Sequence, residues 1–124
     1  MKAFVLGCCA AVVFVSAATA ADEPLAGYYG NTVISTGGMA EIHTHYRPDH
    51  TFDVTGSMMG MSRSYKGTWE FRGDQVCRIF IGDMPPRVTN PNCGPLAGGK
   101  KVGDTWTVTS NGSTRTITLK AGIQ

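Results

Sequence analysis

Little in this sequence points to catalysis, to nucleic acid or to a membrane span. No Gly-x-Ser-x-Gly elbow, phosphate loop or paired-Cys metal motif occurs, so the patterns that activate a nucleophile or cradle a phosphate are missing. Charge is scarce, at 16% of residues, and nearly balanced, with 11 Lys and Arg against 9 Asp and Glu. A nucleic-acid binder would carry a basic surplus or stripe. Histidine is confined to His43, His45 and His50. Beyond residue 20 no apolar run approaches the ~20 residues of a spanning helix, and none keeps helical spacing.

The first 20 residues are different. Met1 and Lys2 give a short positive start, residues 3–16 are almost wholly apolar, and Ala18-Thr19-Ala20 has the small-x-small form of a cleavage site. This is the pattern of a secretory signal peptide, and it predicts a periplasmic or extracellular protein. Val5-Leu6-Gly7-Cys8 resembles a lipidation box, but the apolar run continues past it to Val15. Cleavage near Ala20 would leave 104 residues, 21–124, one domain able to bury a single core. It would also remove Cys8 and Cys9 and leave Cys77 and Cys93 as an even pair. In an exported chain such a pair reads as one disulfide. A loop of roughly 15 residues closed this way is worth about 3 kcal/mol in the loop-entropy model.

The remainder reads as all-β. Short runs alternate between apolar and polar residues and are separated by turn residues. Strands are predicted over 25–34, 39–46, 51–56, 63–71, 75–81, 104–110 and 113–120. Asn111-Gly112 suits a two-residue hairpin, because both residues accept positive φ. Arg47-Pro48-Asp49-His50 suits a type I turn, and Arg72-Gly73-Asp74 a third hairpin. Residues 82–101 form a long Pro- and Gly-containing loop that Cys93 would tether, and so a candidate lid.

Alternation also sorts the faces. Ile42, Thr44, Tyr46, Phe52, Val54, Tyr65, Trp69, Phe71, Trp106, Val108, Ile117 and Leu119 fall on one side. Glu41, His43, His45, Asp53 and a row of threonines fall on the other. With no helix to cover the apolar face, the sheet must curl over it. The expected fold is a small antiparallel meander barrel of seven or eight strands with one disulfide.

Four segments carry a family resemblance. Leu25-Ala26-Gly27-Tyr28-Tyr29-Gly30 resembles a Gly-x-aromatic opening strand. Arg47-Pro48-Asp49-His50-Thr51-Phe52 resembles a Pro-Asp-Gly-Thr-Phe hairpin, with His50 in place of Gly. Gly67-Thr68-Trp69, followed by Gly73-Asp74-Gln75-Val76-Cys77, resembles a Gly-x-Trp strand and the hairpin after it. Together they resemble the lipocalin-like (calycin-type) small barrels of exported bacterial proteins. That resemblance implies a barrel that holds an apolar ligand or inhibits a protein partner, and transfers no catalytic residue.

The leading expectation is therefore a non-catalytic binding protein with a small apolar or aromatic ligand. Tyr28, Tyr46, Tyr65, Trp69 and Trp106 would line its pocket, since aromatic walls suit such ligands. Met58, Met59 and Met61 would supply an adaptable rim. The runner-up is a periplasmic protease inhibitor or partner-binding protein that inserts an Ala21-Asp22-Glu23-Pro24 tail. A third reading is a metal-binding protein or metal-dependent enzyme. His43 and His45 share a strand face with Glu41, as a Zn or Cu chelate requires, and thioethers suit Cu(I). His50 reads as a turn residue tolerant of left-handed geometry.

Overall fold

The computed structural model describes residues 24–124 apart from 96 and 111. Residues 1–20, expected to be a leader and holding Cys8 and Cys9, and residues Ala21, Asp22 and Glu23, expected to form a tail, lie outside the described residues. A 3₁₀ turn, Ala26–Tyr28, precedes eight strands. These are β1 Thr32–Thr36, β2 Glu41–Tyr46, β3 Thr51–Met58, β4 Met61–Arg72, β5 Gln75–Phe80, β6 Asn92–Pro95, β7 Thr105–Ser110 and β8 Ser113–Lys120. All pairings are antiparallel, in one sheet ordered β6-β5-β4-β3-β2-β1-β8-β7. The first six strands meander, and the β7–β8 hairpin joins the opposite flank through β8. The sheet curls into a half-barrel, with β6 and β7 as its two free edges.

The curl buries the apolar face, as alternation requires when no helix covers it. Leu25, Tyr28, Tyr46, Phe52, Val54, Trp69, Phe80 and Leu119 form the core. The opposite face carries cross-strand hydroxyl pairs, including Thr55–Ser64 at 2.8 Å, Thr109–Thr114 at 3.0 Å and Thr105–Thr118 at 3.2 Å. Such pairs stabilise a water-exposed sheet face.

Three expectations need correction. Residues 25–30 are not strand. Tyr28 N–H donates to Leu25 O, Asn31 Nδ2 donates to Gly27 O, and Gly30 has φ +72°. The segment turns across one end of the sheet and buries Leu25 and Tyr28 there. The methionine loop is instead a tight hairpin. Met58 pairs with Met61, and both Met59 (φ 51°) and Gly60 (φ 78°) take positive φ, as a type I′ turn demands. The long loop holds β6, whose Cys93 pairs with Cys77 of β5 and is bonded to it.

The three turns lie where they are expected. His50 N–H donates to Arg47 O at 3.0 Å, closing the β2–β3 turn. His50 itself sits at φ 66°. Arg72 pairs with Gln75 across Gly73-Asp74, and Ser110 with Ser113 across a two-residue connection.

Candidate functional site

Inside the curl lies a cavity of about 300 Å³. Its walls come from both flanks of the sheet. Val33, Ile42, Thr44 and Tyr46 form the floor; Val76 and Arg78 of β5 stand on one side. Trp106 and Val108 of β7, with Arg115 and Ile117 of β8, stand on the other. Leu25 and Tyr28 close one end. The ring planes of Tyr28 and Trp106 lie within 20° of each other, centroids 6.4 Å apart, and Tyr46 is 5.9 Å from Tyr28.

The long loop is fixed over this cavity at several points. The buried Tyr28 hydroxyl donates to Ala97 O at 2.7 Å. Burial, and then the neighbouring Tyr46, pushes the Tyr28 phenol far above its usual range, so it keeps its proton and remains a donor. Asn90 acts like a short strand: Phe80 N–H donates to its Oδ1 at 3.0 Å, and its Nδ2 donates to Phe80 O at 3.3 Å. Lys100 lies 4.8 Å over the Trp106 ring, within cation–π range. A Cβ on Gly27 would collide with Lys100 O, so glycine permits that close approach.

The structure divides the residues expected to line the pocket. Tyr28, Tyr46 and Trp106 line the cavity. Trp69 does not; it is 1% exposed and built into the core. Its Nε1 donates to Arg47 O and Thr51 O, both at 3.1 Å, and His50 stacks on it at 4.2 Å. It therefore plugs the base of the β2–β3 turn. Tyr65 packs edge-on against Phe80 and faces a separate depression shared with Asp83 and Met84. Met58, Met59 and Met61 are exposed at the hairpin tip, Met59 at 90%, and none lines the cavity. The I′ turn carries them past the curl, so they form no rim.

Of the candidate metal ligands, His43 and Glu41 are brought together and His45 is directed elsewhere. His43 Nε2 lies 2.6 Å from Glu41 Oε1 on the outer face. His45 is buried on that face, with Nδ1 2.7 Å from Asp53 Oδ1 and Nε2 3.1 Å from Thr32 Oγ1. Both of its nitrogens are thus committed to protein. Among the described residues, no group of three His, Cys, Asp or Glu side chains is placed to hold a metal ion.

The Thr32–His45–Asp53 chain has the order of a nucleophile, a base and an orienting carboxylate. Its geometry serves another purpose. Thr32 is fully buried; its hydroxyl donates to Gly122 O at 2.8 Å and accepts from Gln124 N–H at 2.9 Å. The chain pins the C-terminal residues to the outer face of β1. Arg47 also pairs with Asp53. Burial pushes the Asp53 carboxyl up, but its hydrogen bonds to His45 and Arg47 outweigh that and hold it below the usual range. A carboxyl depressed in the folded state contributes stability above its unfolded value, about pH 4. That contribution is lost as pH falls through the folded value. Asp53→Ala is expected to lower stability by about 1.5–3 kcal/mol at pH 7. The gap from wild type should narrow towards pH 2, as read by urea unfolding at both pH values.

A wider, shallower hollow of about 500 Å³ includes Asp53, Lys66, Ile81 and Asp83. It is more open to solvent and has a single aromatic side chain, Tyr65, in its lining, so the cavity walled by Tyr28, Tyr46 and Trp106 is the better ligand site. The cavity also contains two residues that the face analysis left out, Arg78 and Arg115. The signal was present in the alternation of Val76, Arg78 and Phe80, and of Arg115, Ile117 and Leu119. No family model matches the chain, and neither the curated proteins nor the solved structures provide a match.

Proposed function

We propose that this chain is an exported, non-catalytic binding protein that holds one small apolar or aromatic molecule within its curled sheet. The observation that carries the reading is the 300 Å³ cavity walled by Tyr28, Tyr46 and Trp106. Its size is at the low end for small-molecule sites, and its apolar lining with a few polar groups is their usual composition. Support for export comes from the leader pattern of residues 1–20 and from the Cys77–Cys93 disulfide, a bond that persists in oxidising compartments.

Native mass spectrometry of the protein purified from its own cells tests the binding. One small molecule per chain, released on denaturation and depleted in Trp106→Ala, is the expected result. Bare protein that also gives no saturable fluorescence with N-phenyl-1-naphthylamine, a neutral apolar probe, would overturn the reading.

A further inference from the structure

We infer that the cavity takes a small amphipathic carboxylate, with its apolar body against Tyr28, Tyr46 and Trp106 and its head at Arg78 and Arg115. This rests on the proposed binding function and adds the chemical class of the ligand. Arg78 on β5 and Arg115 on β8 stand one strand in from the two free edges, on opposite sides of the cavity. Both are half-buried, where charge without a counter-charge is costly. The ion pairs among the described residues use Glu41, Asp53 and Glu70, and none includes either arginine. No Asp or Glu lines the cavity. Lys100, over the Trp106 ring, adds a third positive charge beside one of the lining aromatics.

The two arginines are held differently. Arg115 donates from Nε to Ser35 Oγ at 2.5 Å, and from one terminal nitrogen to Ser35 O at 3.1 Å and Ala40 O at 2.8 Å. It lies so close to Gly38 that a Cβ there would collide with it. Its charge is therefore fixed in place while most of its donors are spent. The Arg78 backbone belongs to the β4–β5–β6 ladder, but its side chain makes no hydrogen bond with a described residue, which leaves its planar fork for a ligand. One free fork, with a second guanidinium on the opposite wall, matches one carboxylate, which it can bind through two parallel N–H···O bonds. The small volume limits the body to a medium chain or one or two rings.

Calorimetric titration of the full chain with matched pairs tests this: octanoate against octanol, and 1-naphthaleneacetate against its amide. The acid of at least one pair is expected to bind about ten-fold or more tighter than its neutral partner, the preference shrinking as salt is raised. In Arg78→Gln the preference should fall to about three-fold or less, read as the ratio of acid to neutral affinity within a pair so that any change common to both compounds cancels. Equal affinities within both pairs would overturn the carboxylate assignment and leave the cavity as a neutral-ligand site. A preference that survives Arg78→Gln would also overturn it; this variant removes no side-chain hydrogen bond among the described residues, so the result does not depend on Arg115 variants folding. Failure of all four compounds to bind would overturn the ligand site itself.

Discussion

Trp69→Ala is expected to cost about 3–5 kcal/mol, a large fraction of the stability of a domain this size. The indole is 1% exposed and touches Tyr29, Tyr46, His50 and Phe71, with ring centroids 4.2–6.2 Å away. Removing it leaves a cavity that the surrounding strands, bonded on both sides, can only partly close. It also leaves Arg47 O and Thr51 O without the Nε1–H that bridges them across the β2–β3 turn. Trp69→Phe separates the two effects. It retains most of the volume and loses only the donor, so a smaller cost of about 1–2 kcal/mol is expected. Urea unfolding followed by far-UV circular dichroism measures both. A loss below about 1 kcal/mol for Trp69→Ala would show that the turn does not depend on this plug.

Gly67→Ala should be comparably damaging although it adds a single methyl group. Gly67 pairs with Phe52 on one side and Phe80 on the other. A Cβ at this position would collide with the Ile79 carbonyl oxygen and lie 3.0 Å from Phe52 Cε1. Both obstacles are fixed, one by the backbone of β5 and the other by the close packing of the core. Overpacking of this kind costs about 1–3 kcal/mol, and backbone displacement places Gly67→Ala at or above the upper figure. Gly56→Ala is the control within the same sheet. Nothing lies within 4 Å of its Cβ position and its φ is not positive. Alanine there is expected to be neutral or stabilising by about 0.5–1 kcal/mol, through the unfolded chain. Similar melting temperatures for the two variants would refute the close-approach argument.

These two residues explain why the Gly-x-Trp motif was legible as structure. Gly67 admits a neighbouring backbone and Trp69, two residues along on the same face, fills the core beside it. Alternation likewise placed the strands around Thr44, Val54 and Val108, because each has one apolar and one polar face. It failed where the determining contact is distant. Leu25 and Tyr28 are spaced for either a strand or a turn, and the chain around Lys100 decides between them. Asn92-Cys93-Gly94-Pro95 has no strand propensity, yet the bond from Cys93 to Cys77 and the pairing with β5 make it β6. Met59 is a poor I′ residue, so the hairpin it occupies resembled a loop. His45 looked solvent-facing because the residues covering it, Gly122 and Gln124, are some 80 positions away in sequence. Arg78 and Arg115 were missed for a different reason: pattern counting treats arginine as polar, whereas its long stem can line an apolar wall.

The pairing of β1 with β8 has a consequence for synthesis. Thr32 lies opposite Lys120 and Thr36 opposite Thr116, so the first strand of the sheet pairs with the last. As the chain emerges, β2 through β6 can assemble on one side of β1 while its other edge finds no partner. Only after β8 itself has emerged can it dock, bringing β7 with it. Until then an unpaired edge is open to other chains, and contacts this distant in sequence slow folding. The cavity, one wall of which is built from β7 and β8, thus takes shape only after β8 has joined β1.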